Sequence, residues 1–188
     1  MQRRTLLICF CQAIAATIMA VVIVPIGRFI SAPLFRKDKQ SSRAVRVAKL
    51  SQLEVGKPVQ VPIIGNRKDG WTLYPQAVIG KVWLIRRSAE SDNPESVQVD
   101  AYSAVCPHLG CKIDYSDNGS HFICPCHEAA FDAQGEKMKL DKAGYNNPSP
   151  RGMDQLNCQV VASEAGGELW VEVEYERFKF GLQDKVVI

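Results

Sequence analysis

Six residues between positions 106 and 127 have types and spacing that could do chemistry together. Cys106-Pro107-His108-Leu109-Gly110-Cys111 is one stretch and Cys124-Pro125-Cys126-His127 is the other. Fifteen residues separate His108 from Cys124. Each stretch supplies one cysteine and one histidine, at x1 spacing in the first and x2 in the second. A tight turn can aim such a pair at one metal centre, and two turns can grip it from two sides. Three chemistries compete for this set: a Cys2His2 zinc site, an iron–sulfur centre, and a disulfide framework in which the histidines are incidental. Disulfides have no need of histidines at fixed offsets. Zinc leaves Cys111 and Cys126 without a role. These two, one per stretch, could join the stretches behind a metal.

The elements around these stretches must hold them. From Ala44 onward, apolar and polar residues alternate at period two in short runs: Ala44–Lys49, Pro58–Ile63, Ala77–Ile85, Val97–Val105 and His121–Ile123. Valine and isoleucine dominate the runs, as strands prefer. Leu156–Ala162 and Glu168–Tyr175 flank Ala165-Gly166-Gly167, a hairpin signal. The Gly- and Pro-rich segment Asp141–Gly152 reads as a long loop. No window after position 43 has a convincing amphipathic helix, and no internal repeat is visible. The pattern predicts an all-β domain of stacked antiparallel sheets.

Before this domain the chain is different. Leu6 to Ile26 carries no charge, and its 21 residues would span roughly 30 Å as a helix, enough to cross a bilayer. Gln12 and Pro25 are its notable interruptions. A cleaved signal would have a shorter apolar region, and Ser31-Ala32-Pro33 is a poor cleavage site, so the span reads as a retained anchor. Arg3-Arg4 ahead of it resembles a twin-arginine export signal. The polar stretch 35–43 reads as a hinge linker. The expected organisation is therefore 1–34 signal and transmembrane anchor, 35–43 linker and 44–188 metal-binding domain. A formal charge of +3 over 188 residues does not suggest a nucleic-acid binder. Cys9 and Cys11 in the span read as small apolar packers, Cys158 as a buried free thiol and His121 as a surface residue. Residues 175–188 carry no readable pattern and are expected to dock along the domain or touch a partner.

The two stretches resemble the Rieske signature, C-x-H-L-G-C with C-P-C-H, at every ligand position. The resemblance covers positions 43–188, and the anchor also fits it. It implies Rieske-type stacked sheets with a cluster-binding subdomain and one [2Fe–2S] cluster. Cys106 and Cys124 would bind one iron, His108 and His127 the other, and Cys111–Cys126 would be a disulfide tying the loops. Leu109 and Gly110 would shield the cluster and form a docking tip. Asn147-Pro148-Ser149-Pro150 is similar to the family's Gly-Pro-x-Pro covering loop, so Pro148 and Pro150 would lie over the cluster, while Asn147 departs from the pattern. Two imidazoles in place of thiolates raise the potential above that of all-cysteine ferredoxins. The outer ring nitrogens could carry protons, with an affinity that rises on reduction.

The resemblance further implies the iron–sulfur subunit of a respiratory quinol–cytochrome c oxidoreductase of the bc type. Such a subunit works in a dimeric, membrane-embedded complex with a cytochrome b subunit, a c-type cytochrome and quinol, and does little alone. A disulfide belongs on the oxidising side of the membrane. Arg28, Arg36, Lys37 and Lys39, beyond the span, would by charge counting keep the domain inside. Folded domains translocate with little regard to flanking charge, so the reading is an N-terminus in the cytoplasm and the domain on the periplasmic face of the inner membrane. The alternative is the small subunit of a molybdenum oxidase such as arsenite oxidase. Soluble Rieske ferredoxins and oxygenase components generally lack Cys111 and Cys126. After the second motif, many members read C-P-C-H-G-S-x-Y-D, whose hydroxyls donate to sulfur. Here Glu128, Ala129 and Phe131 stand at the glycine, serine and tyrosine positions. Two missing donors would lower the potential by on the order of 100 mV or more. Such a potential points to menaquinol as the donor.

Overall fold

The structure is a computed structural model that describes residues 3–35, 44–69, 72–88, 96–116, 118, 120–163 and 167–188. It divides into two units, Met1–Ser41 and Ser42–Ile188. The described part of the first unit is one helix, α1 (Arg3–Phe35), long and apolar enough to cross a membrane. It runs on past Pro25, beyond the uncharged stretch. Positions 36–43, most of the expected linker, lie outside the described residues.

The second unit is built from antiparallel strands, as expected. They are β1 (Ala44–Lys49), β2 (Val59–Asp69), β3 (Thr72–Arg86), β4 (Val99–Ser103), β5 (Asp114–Ser116), β6 (His121–Cys124), β7 (Ala129–Phe131), β8 (Gln155–Leu156), β9 (Cys158–Ala162) and β10 (Leu169–Glu174). They form three sheets, in the orders β1-β10-β9, β2-β3-β4-β8 and β5-β6-β7. The first two enclose one core, with Ile63, Val82, Leu84, Ala101, Val171 and Val173 at its centre.

A second core lies between the β2–β3–β4 sheet and the small β5–β7 sheet. It contains Trp83, Ile85, Tyr102, Ile113, Phe122 and Phe131. The unbroken buried run at the end of β3 follows from this. Alternate side chains point to opposite faces, so Val82 and Leu84 enter the first core while Trp83 and Ile85 enter the second. Trp83 donates its indole N–H to Ile113 O at 3.2 Å, and Tyr102 its hydroxyl to Gln134 O at 2.8 Å. Both bonds pin the segments flanking the β5–β7 sheet to β3 and β4. Gly80 is required where β3 passes Tyr175: a Cβ there would fall 2.0 Å from the phenol oxygen.

Three details differ from the sequence reading. β2 and β3 run further, to Asp69 and from Thr72, as a ribbon with both faces exposed. With no buried face, that ribbon has no apolar alternation to read. The single run expected at Leu156–Ala162 is two strands, because the chain leaves β4 after Leu156 and joins β10 from Cys158. The short β5 and β7 carry no pattern of their own. β9 and β10 pair as expected, with Ala162 opposite Leu169; positions 164–166 of the hairpin turn lie outside the described residues.

Candidate metal centre

Both motif stretches are turns next to the β5–β7 sheet, the first leading from β4 into β5 and the second joining β6 to β7. The first begins where β4 ends. The Cys106 N–H donates to Cys111 O at 2.7 Å and the Gly110 N–H to Cys106 O at 2.9 Å. Gly110 takes a left-handed φ of 78°, which closes the turn. The second is the β6–β7 hairpin turn. Cys124 pairs with Ala129 across it, and Pro125, Cys126, His127 and Glu128 form its tip. Glu128 also has a left-handed φ, 56°.

The two turns meet. Cys111 and Cys126 are joined by a disulfide with a Cα–Cα distance of 6.6 Å. The Cys124 sulfur lies within 4.8 Å of both its sulfurs. Cys106 and Cys124 are each 1 % exposed and sit in the second core with Ala129 and Phe131. Burial pushes the Cys106 thiol up to about 12. The N–H groups of His108 and Leu109, which donate to its sulfur, oppose that shift, and the neighbouring Cys124 adds to it. The His108 and His127 rings, on the same two turns, are edge to face, with centroids 4.8 Å apart. His108 is half-buried and His127 exposed. Leu109, beside them, is 54 % exposed.

This donor set fits a [2Fe–2S] cluster better than a zinc ion. The two thiols are buried while one imidazole is half-buried and the other exposed, so soft and nitrogen ligands are segregated by depth rather than mixed around one point. The remaining two cysteines are consumed by the disulfide between the turns.

Ala129 and Phe131 are 0 % exposed. Pro148 and Pro150 flank buried Ser149. Asn147, the departure from the family pattern, ties this loop to β7: its amide donates to Ala130 O at 2.6 Å and Met138 O at 3.0 Å, and its Oδ1 accepts from Ser149 N. His121 is half-buried at the start of β6, opposite Ser116. The Cys158 thiol is half-buried, donates to Val99 O at 2.8 Å and is raised to about 11, first by burial and then by Asp100. Cys9 and Cys11 are exposed on α1.

Sequence reasoning missed three partners of the site. Lys142 pairs with Glu128 at 2.7 Å, and the Tyr145 hydroxyl donates to Glu128 O at 2.7 Å. Together they fasten the second turn. Residues beyond β10 fasten the first: the Gly181 N–H donates to Pro107 O at 2.7 Å. A tyrosine inside a polar loop was the one available signal. The segment beyond β10 offered none.

Residues 43–147 match the family model described as the Rieske [2Fe-2S] domain. The cytochrome b6-f complex iron-sulfur subunit of Parasynechococcus marenigrum is 25% identical over 84 residues, 45% of this chain and 43% of that protein. The chain thus spans less than half of that relative. The cytochrome b6-f complex iron-sulfur subunit 2 of Nostoc sp. strain PCC 7120 is 29% identical over 149 residues, 79% of this chain and 76% of that one. Among solved structures, the plasma membrane Rieske protein of Synechocystis PCC 6803 is 23% identical, with a TM-score of 0.40, and covers 68% of this chain and 97% of its own. With more than half of its length matched, and thiols, imidazoles and a linking disulfide gathered at one pair of turns, the chain belongs to the Rieske [2Fe–2S] family, and its cofactor is a [2Fe–2S] cluster.

Proposed function

We propose that this chain is the electron-carrying subunit of a membrane quinol–cytochrome c oxidoreductase of the cytochrome bc or b6f type. Residues 1–34 anchor it, 35–43 form a hinge, and 44–188 form the head on the outer side of the membrane. Cys106 and Cys124 hold one iron, and His108 and His127 the other. The cytochrome b6-f names of its relatives support the assembly, and the apolar helix α1 supports the anchor.

The observation that carries this reading is the pair of imidazoles, edge to face with centroids 4.8 Å apart, on the same two turns as two buried thiols. When bound, the cluster supplies a place for one electron at a potential between about −150 and +300 mV. The chain's own residues do the rest. The outer ring nitrogen of His108 or His127 accepts a hydrogen bond from the quinol hydroxyl and then holds its proton. Exposed Leu109 gives the tip an apolar contact that excludes water from that hydrogen bond. The disulfide holds both imidazole-bearing turns in one geometry. The head then turns on its hinge and presents the same tip to a c-type cytochrome.

Menaquinol is the quinol that best suits this site. Ala129 and Phe131 offer no hydroxyl, and the hydroxyls of Tyr145 and Ser149 already donate to Glu128 O and Arg151 O. Fewer donors to the sulfurs leave the reduced state less stabilised and the potential lower.

An EPR-monitored redox titration of membranes containing the protein tests the proposal. A rhombic signal from mixed thiolate and imidazole ligation, at a midpoint low in the Rieske range, is the expected result. Loss of that signal in both His108→Cys and His127→Cys accompanies it. A tetrahedral zinc site with no such signal would end the proposal. Release of the protein into the soluble fraction by salt would instead favour the molybdenum-oxidase subunit.

A further inference from the structure

The family match ends at position 147, yet the metal site is braced by residues far beyond it. After β10, residues 177–188 fold into a short hairpin. Phe178 bridges Val187, the Lys179 N–H donates to Val186 O at 2.8 Å, and the Ile188 N–H donates to Arg177 O at 2.9 Å. This strap lies on the first motif turn. Its Gly181 N–H donates to the carbonyl of Pro107, a residue that is fully buried. A buried carbonyl needs a donor, and here the strap supplies it. The strap backbone also runs close to His108: a Cβ at Gly181 would lie 3.7 Å from His108 O. The Phe180 ring covers Gly110, where an added Cβ would meet it at 3.2 Å. A cleft of about 190 Å³ has Cys106, Pro107 and Gly110 on one wall and Arg177, Phe178 and Phe180 on the other.

One side chain locks the strap. Arg151 follows the proline loop directly and is 11 % exposed. Its guanidinium forks onto both carboxylate oxygens of Asp154, at 2.8 and 2.9 Å. It also donates to Lys179 O at 2.7 Å and to Leu182 O at 2.5 Å. Four acceptors in two directions need the planar five-donor fork of arginine, which lysine cannot reproduce.

We propose that residues 177–188, locked by Arg151, are a positioning element for the metal site, one that holds the Pro107–His108 backbone, walls the cleft beside Cys106 and keeps the potential low. The inference rests on the function proposed above. Water admitted beside a cluster favours the more negative, reduced form, so a loosened strap raises the potential.

The test uses the full-length protein in membranes or detergent, unsubstituted and as Arg151→Lys and Phe180→Ala. Phe180 is 53 % exposed, so its truncation leaves both cores whole. Hydrogen-exchange mass spectrometry follows the peptide 178–188, and EPR titration follows the cluster. At least tenfold faster exchange in Arg151→Lys is expected. Both variants are expected to raise the reduced-to-oxidised ratio at fixed ambient potential at least tenfold, a 59 mV rise in midpoint. Faster exchange with an unchanged or lower midpoint makes the strap mere packing and overturns the proposal. Unchanged exchange in Arg151→Lys removes Arg151 as the lock and overturns it equally. Absence of the rhombic signal from the unsubstituted protein is a different failure, that of the proposed site itself.

Discussion

Returning hydroxyls to the second motif turn should raise the cluster potential by a calculable amount. The substitutions are Phe131→Tyr and Ala129→Ser, both at positions with no solvent exposure, packed in the core that holds Cys106 and Cys124. A hydrogen bond to a charged acceptor contributes about 1.5–3 kcal/mol, and burial leaves no water to screen it. A tenfold change in a one-electron equilibrium is 59 mV and about 1.36 kcal/mol, so 1 kcal/mol is about 43 mV. If the new hydroxyl reaches a sulfur, each substitution raises the midpoint by about 60–130 mV, because the donor favours the more negative reduced form. The assay is an EPR redox titration paired with a thermal melt. The melt separates success from failure, since a buried hydroxyl without an acceptor costs about 1–3 kcal/mol. At about 2–4 °C per kcal/mol, that is a visible fall in Tm. An unchanged midpoint with an undiminished Tm in both variants, the hydroxyls satisfied yet without effect on the cluster, would refute the reasoning, and with it the case for menaquinol.

Three further outcomes are expected. Cys111→Ser should lose the cluster on purification, measured as iron per chain, because the disulfide closes a separation of 15 residues and contributes about 3 kcal/mol to holding the turns together. Gly80→Ala should lower stability by about 2–3 kcal/mol in a denaturant titration, since its Cβ meets the Tyr175 ring at 2.0–2.1 Å; a paired Tyr175→Ala should cost less than the two singles summed. Cys158 should alkylate about 100-fold more slowly at pH 8 in the folded chain than in the unfolded one, as peptide mapping after iodoacetamide would show. Burial, then Asp100, raises its thiol from 9.0 to about 11, which leaves that much less of the reactive thiolate; equal rates would show an open thiol.

The sequence was most legible where chemistry or two-sided burial constrained it. The motif residues announced the centre because only a few residue types ligate metals and their spacing is set by tight turns. β1 and the buried half of β3 were legible because their apolar residues face cores. The outer halves of β2 and β3 were not, since Arg67, Lys68 and Tyr74 pair across a ribbon with no core to face. The braces of the site were hidden for another reason. Asn147, Arg151 and Gly181 act through backbone carbonyls and N–H groups, and a hydrogen bond to a carbonyl leaves no requirement on the residue that carries it. Glu128 shows the same limit: its ion pair with Lys142 is revealed only by the folded loop.

The pairing of the first strand of the head with the last sets an order of manufacture. Ala44 lies opposite Glu174, so β1 waits without a partner until β10 has been synthesised. At about 5–20 residues per second, that delay is many seconds of a partly exposed chain. Gly181, which supplies the donor for Pro107, is made later still. The first motif turn therefore reaches its final shape only after nearly the whole head has left the ribosome. Loading of the cofactor should accordingly follow synthesis, and a ribosome stalled before position 181 should yield chains that do not retain iron.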